Sequence, residues 1–193
     1  MKNKFDEDQI AYHVKEILKL LGDDVDRPGL VKTPKRVAKA YSEIFEGMRY
    51  TNDEIAEMNN VCFEEPSGAL VTECNIPVYS MCEHHVLPMV LKVSVGYVPN
   101  GKVIGLSKMA RIADLVAKRL QLQEKIGTDI SYIMKKVLGT EDVIVYIEGY
   151  HMCMDMRGIK KPGTVTRTAC LSGKFDTDHA LRQEFYNIVN MNK

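Results

Sequence analysis

The pattern of apolar and polar positions changes period once along this chain, near residue 60, and the change separates two kinds of structure. From residue 6 to about residue 21, Ile10, Val14, Ile17, Leu18 and Leu21 recur at three- and four-residue intervals, the spacing that lines one face of an α-helix. Gly22 and the Asp-rich stretch beyond it end that segment. Thr33-Pro34 opens a second helix, with Thr33 expected as N-cap and Pro34 at the first helical position, and Val37, Tyr41, Ile44, Phe45 and Met48 supply its apolar stripe. Beyond residue 60 the period falls to two. Residues 71–79 and 90–98 read as strands, and Pro99-Asn100-Gly101 predicts a turn that folds Val103-Ile104 back as a hairpin. Helical spacing returns over 107–120 and 124–138, strand spacing over 143–150 and 164–175, and a closing helix starts at about 178. That order describes an α+β domain, residues 61–193, behind a helical N-terminal arm, residues 1–60. No repeat of fixed period and no low-complexity linker interrupts it.

Composition narrows the setting. A chain of 193 residues with 45% hydrophobic content can bury a real core. Its 26 basic residues balance 26 acidic ones, so no global field draws it to nucleic acid or membrane, and any anion site has to be local. The first residues are charged, without the apolar core of a signal peptide, and no run reaches bilayer-spanning length. The expectation is a soluble cytoplasmic protein. Five cysteines, an odd number without regular spacing, point to reduced thiols, some of them ligands, rather than a disulfide framework.

Candidate chemistry centres on Cys82-Glu83-His84-His85, answered far downstream by His151-Met152-Cys153. Cys82, His85 and Cys153 offer two thiolates and an imidazole to one Zn²⁺, and three protein ligands leave the fourth position open, as catalytic zinc requires. The competing reading is that both cysteines are ordinary buried thiols. Alternation puts His151 and Cys153 on one face if their strand stays extended, while Cys82 and His85 need a turn to converge, which Pro77 and Pro88 bracket. His84 and His151 then flank the metal as residues able to exchange protons near neutral pH. His13 and His179 fall on terminal helices and read as surface residues.

Negative charge is the expected ligand of a second group. Ser107 is read as the cap of a helix whose first turn carries Lys108 and, at i, i+3, Arg111; a cation there opposes the helix dipole and hints at a bound anion. Arg36 and Lys39 repeat the spacing, and Arg157 follows the second metal segment. Solvated surface charge is the bland alternative. No P-loop or dinucleotide turn is present. Gln123-Glu124 offers a carboxylate and an amide that match a purine edge, although such a pair in a helix connection is usually solvent-facing.

Four ordered motifs then carry a family resemblance: Ser80-Met81-Cys82-Glu83-His84-His85, the run from Tyr97 to Lys108, Arg119-Leu120-Gln121-Leu122-Gln123-Glu124, and His151-Met152-Cys153. Over residues 33–185 the chain resembles GTP cyclohydrolase I. The resemblance implies the tunnelling fold, in which four-stranded antiparallel sheets with paired helices join into barrels, commonly within a toroidal homodecamer with active sites between subunits. It implies that Cys82, His85 and Cys153 hold zinc, His84 and His151 transfer protons, Gln123 and Glu124 meet guanine, Ser107 lies near the ribose, and Arg36, Lys39, Lys108, Arg111 and Arg157 surround the triphosphate of GTP. The implied reaction opens the guanine imidazole ring at C8, releases formate and ends in 7,8-dihydroneopterin triphosphate. Met89-Val90-Leu91-Lys92 and Met154-Asp155-Met156 depart from the family pattern, and Asp155 places an acid near a site meant for phosphate. A tunnelling-fold deazaguanine nitrile reductase and a noncatalytic pterin-binding zinc protein are the alternative readings.

Overall fold

The computed structural model describes residues 5–191. The first elements are α1 (Glu7–Leu20), α2 (Thr33–Ile44), a 3-10 turn (Glu46–Arg49) and α3 (Asn52–Met58). There follow β1 (Cys62–Glu64), β2 (Val71–Cys82), β3 (Pro88–Tyr97), β4 (Lys102–Ile104), α4 (Leu106–Ala117), β5 (Leu120–Gln121) and α5 (Gln123–Leu138). The chain closes with β6 (Val143–His151), α6 (Met152–Asp155), β7 (Val165–Leu171), α7 (Lys174–Thr177) and α8 (His179–Asn190). Among the described residues no helix is long and apolar enough to cross a membrane.

β2, β3, β6 and β7 form an antiparallel sheet in that order, and the two-residue β5 joins β2 in parallel at the edge. This is the α+β arrangement expected from the sequence, a four-stranded antiparallel sheet with two helices on one face. Alternation explains which face: Val78 of β2, Leu91, Val93 and Val95 of β3, and Val145 and Ile147 of β6 are buried against Ile112, Ala113 and Val116 of α4 and Ile126, Ile130 and Met134 of α5. Each such Val, Leu, Ile or Met side chain contributes about 1.5–3 kcal/mol by leaving water. A second cluster, Ile144, Phe175, Phe185 and Val189, packs α7 and α8 against the sheet.

The N-terminal helices meet the sheet and its helices through α3, whose Ile55 and Ala56 belong to the main core. Arg119 reinforces that junction. Its guanidinium donates to the carbonyls of Gly47 and Tyr50 (both 3.1 Å), to Asn52 Oδ1 (2.8 Å) and to Asp129 Oδ2 (3.2 Å), which ties the N-terminal helices to α5 beyond the residues that enter the candidate site.

Three local expectations are corrected. β4 does not return as a hairpin on β3; it pairs with β1, because β3 already has β2 on one side and β6 on the other. Thr33 is helical rather than the cap of α2, and Lys32 takes the cap position with no side-chain hydrogen bond. Ser107 likewise lies inside α4, whose cap is Gly105.

Candidate active site

The strands bring the two metal segments to the same end of the sheet. Cys82 ends β2 and His151 ends β6, while Met89, which pairs with His151 across the ladder, stands at the start of β3 between them. Between β2 and β3 the chain reverses in a tight turn: Cys82 N donates to Leu87 O (2.9 Å), and Val86 N donates to Cys82 O (2.9 Å). Val86 sits at φ 52°, a left-handed conformation that costs a β-branched residue energy and persists only where the surroundings enforce it. That turn folds His85 back onto Cys82, so that His85 Nδ1 lies 3.8 Å from Cys82 Sγ.

β6 does not stay extended beyond His151. The chain enters the single turn α6, from which Cys153 reaches the same point, so His151 and Cys153 diverge in role rather than sharing a strand face. The ligand atoms of Cys82, His85 and Cys153 all lie within 4.8 Å of one another. Zinc bond lengths of about 2.3 Å to sulfur and about 2.0 Å to nitrogen place tetrahedral ligand atoms about 3.6 Å apart, so this donor set fits that ion, and two thiolates select against hard cations such as Mg²⁺. Burial, and then the neighbouring Cys82 thiol, push the Cys153 thiol above the ordinary range. Metal binding there would therefore be accompanied by release of protons.

The histidines are held differently. His151 is half-buried, and burial lowers its pKa against the opposing pull of Glu124. Its Nε2 lies 2.8 Å from Gln123 Oε1. Gln123, the first residue of α5, is 1% exposed, and its amide nitrogen donates to Ile147 O (3.1 Å), Thr166 O (3.2 Å) and Thr168 Oγ1 (3.1 Å). The solvent-facing alternative for Gln123 is thus wrong; helical geometry turns it inward and leaves Glu124, one position on, exposed. His84 is exposed, with Nε2 3.9 Å from Glu83 Oε1 and its ring edge-on to His85.

Of the expected anion-binding residues, Arg157 alone meets a candidate metal ligand, with Nη1 3.1 Å from His85 Nε2. Arg36, Lys39, Arg111 and Ser107 are exposed and Lys108 is partly so. Lys39 lines a cavity with Glu43 and Arg49, Arg111 lines another with Glu46 and Asn59, and Glu124 lines a third of about 310 Å³ with Thr128, Thr168 and Cys170. One chain does not gather these groups around the candidate metal ligands. Asp155 accepts a hydrogen bond from the Tyr150 hydroxyl, which holds its carboxylate within the α6 turn. The sequence signal for that restraint is the acid five residues after a tyrosine, which has meaning only once the chain turns at His151.

A family model described as GTP cyclohydrolase I matches residues 10–190. A curated protein named GTP cyclohydrolase 1 from Clostridium botulinum (strain Loch Maree / Type A3) is 55% identical over 176 residues, covering 88% of this chain and 90% of its own length. Its namesake in Clostridium beijerinckii is 50% identical over 191 residues, covering 95% and 97%. Among solved structures, the archaeosine synthase QueF-Like in the apo form is similar at a TM-score of 0.47 and 23% identity, over 57% of this chain and 97% of that one.

Proposed function

Since the chain belongs to the GTP cyclohydrolase I family, we propose that it opens the guanine imidazole ring of GTP by hydrolysis at C8, releases formate, and closes the rearranged ribose to give 7,8-dihydroneopterin triphosphate. The observation that carries this reading is the convergence of Cys82, His85 and Cys153 at the end of the sheet, beside His151. Zinc held by these three residues would supply Lewis-acid activation of water. His84 and His151 are the proton-transfer residues, one exposed and next to His85 in the chain, the other half-buried at the end of β6. Glu124, at the mouth of its cavity, accepts guanine N–H groups. Arg157, next to His85, takes the phosphate nearest the reacting end, with Lys108, Arg111, Arg36 and Lys39 further along the triphosphate and Ser107 at the ribose.

Two features support an assembly in which subunits complete one another's sites, a toroidal homodecamer in the family pattern. Lys39 and Arg111 line separate cavities of one chain, and α1 buries none of its residues, leaving Ile17 55% and Leu20 87% exposed. The free cysteines suit a reducing compartment, and the cytoplasm is the proposed location. Metal analysis combined with a formate assay on GTP tests the reading. One zinc per chain and stoichiometric formate are expected; zinc-loaded protein that binds GTP and releases no formate refutes it.

A further inference from the structure

We propose that Gln123 is a positioning residue for His151, fixing which ring nitrogen carries the proton, and does not itself recognise the purine. This rests on the reading of His151 as a proton-transfer residue.

The neighbours of Gln123 decide which end of its amide is which. One end faces the carbonyl oxygens of Ile147 (3.1 Å) and Thr166 (3.2 Å), which can only accept, so that end is the NH₂ group. The other end, 2.8 Å from His151 Nε2, is then the oxygen, which can only accept as well. Nε2 must therefore carry the hydrogen, and in the neutral ring the lone pair resides on Nδ1. Flipping the amide would set its oxygen against the carbonyls of Ile147 and Thr166, which cannot donate whichever tautomer His151 adopts, in a site where an unmet polar group costs about 1–3 kcal/mol.

Packing enforces the same choice. β6 passes the amide oxygen so closely at Gly149 that a Cβ there would lie 2.0 Å from Gln123 Oε1 and 2.8 Å from Leu91 Cδ2, so only glycine leaves room for the bond to His151. With both amide hydrogens engaged inside the chain and the side chain 1% exposed, Gln123 has no donor to offer guanine. Consecutive residues of α5 divide the work: Gln123 faces inward and orients the histidine, while exposed Glu124 meets the base. The assignment also defines the reactive atom, because Nδ1 is the nitrogen left to accept a proton and pass it on.

Zinc-loaded protein labelled with ¹⁵N-histidine tests this, with the His151 signals assigned by their loss in His151→Ala. The parent should show a protonated-type Nε2 and an unprotonated-type Nδ1, and the reverse pattern would overturn the proposal without any variant. Gln123→Met removes the acceptor, and Gly149→Ala wedges it away while leaving Gln123 in place. In both, the two nitrogen signals should move toward averaged values and kcat should fall by about 10- to 100-fold, the range for lost supporting partners, with KM for GTP within about twofold. A raised KM with unchanged kcat would return Gln123 to purine recognition. The His151→Ala control separates the two levels: if it turns over normally, the proton-transfer reading fails, whereas if it is inactive while Gln123→Met is not, only the positioning role fails.

Discussion

The candidate site has two sides that are built in different ways. On the β6 side, His151 is half-buried, bonded to Gln123, and indirectly fixed to β6 and β7 through Ile147, Thr166 and Thr168. By contrast, His84, Glu124, Arg111 and Arg157 are exposed, and Lys39 and Arg111 line cavities that one chain keeps apart. The difference shows where accuracy is needed. On the proposed reading, His151 is the proton-transfer residue whose position is fixed by buried bonds, where a displacement of about 1 Å can cost about 100-fold in rate, whereas His84 works from an open position. In the proposed function, long cationic side chains reaching for a flexible polyphosphate tolerate looser anchorage, and the proposed assembly would let a neighbouring subunit bring them in.

The strongest way to break this contrast is to remove what both sides share. Cys153→Ala should lower bound zinc from one per chain to near zero and formate release to background, as read by elemental analysis and a formate assay; retained zinc would show that Cys153 is not a ligand. Next, His84→Ala and His151→Ala should each keep the metal and lose about 10²- to 10⁴-fold in turnover, the usual range for a general acid or base. Added imidazole should partly restore His84→Ala, whose site is open, and leave His151→Ala inactive. Equal rescue of both would erase the distinction between an exposed and an enclosed histidine.

A smaller effect belongs to the cations. Arg111→Ala should raise KM for GTP about 10-fold, equivalent to about 1.4 kcal/mol, with kcat and zinc content unchanged. Raising the salt should shrink the difference between parent and variant, since exposed charges are screened. A loss confined to kcat would mean that Arg111 acts at the reacting ring.

The smallest effect lies at the far end of β2, away from both sides. Burial raises the pKa of Glu73, and its Oε2 has no hydrogen-bond partner among the described residues. The folded state therefore holds this proton to higher pH than the unfolded chain does, so the contribution of Glu73 to stability declines as pH rises from the ordinary carboxylate range through the raised folded value. Glu73→Gln should stabilise the protein by up to about 1 kcal/mol at neutral pH, and less in acid. Thermal melts at two pH values check this; a gain that grows toward low pH would contradict it.

Much of the candidate site is legible in the order of the residues. Cys82 and His85 are three residues apart, close enough for one turn to join them, and soft thiols with an imidazole are a narrow ligand chemistry. The main helices and strands are legible as well, because burial of one face imposes a period of 3.6 or 2 on the residues themselves. The local punctuation is less so. Thr33 and Ser107 have the chemistry of caps, yet both lie inside their helices, since the packing of α2 and α4 starts each helix earlier than the side-chain signal. Pro99-Asn100-Gly101 does mark a turn, but whether a turn makes a hairpin depends on whether the preceding strand has a free edge, and β3 has none.

The sequence by itself therefore determined the fold class, the candidate metal ligands and the family, because each rests on periodicity or on residue types at short spacing. Tertiary structure decided the inward turn of Gln123, the exit of β6 into α6 at His151, and the need for glycine at 149. These depend on which atoms face one another across strands distant in the chain, and hydrogen-bond direction and close packing are properties of those meetings rather than of any residue alone.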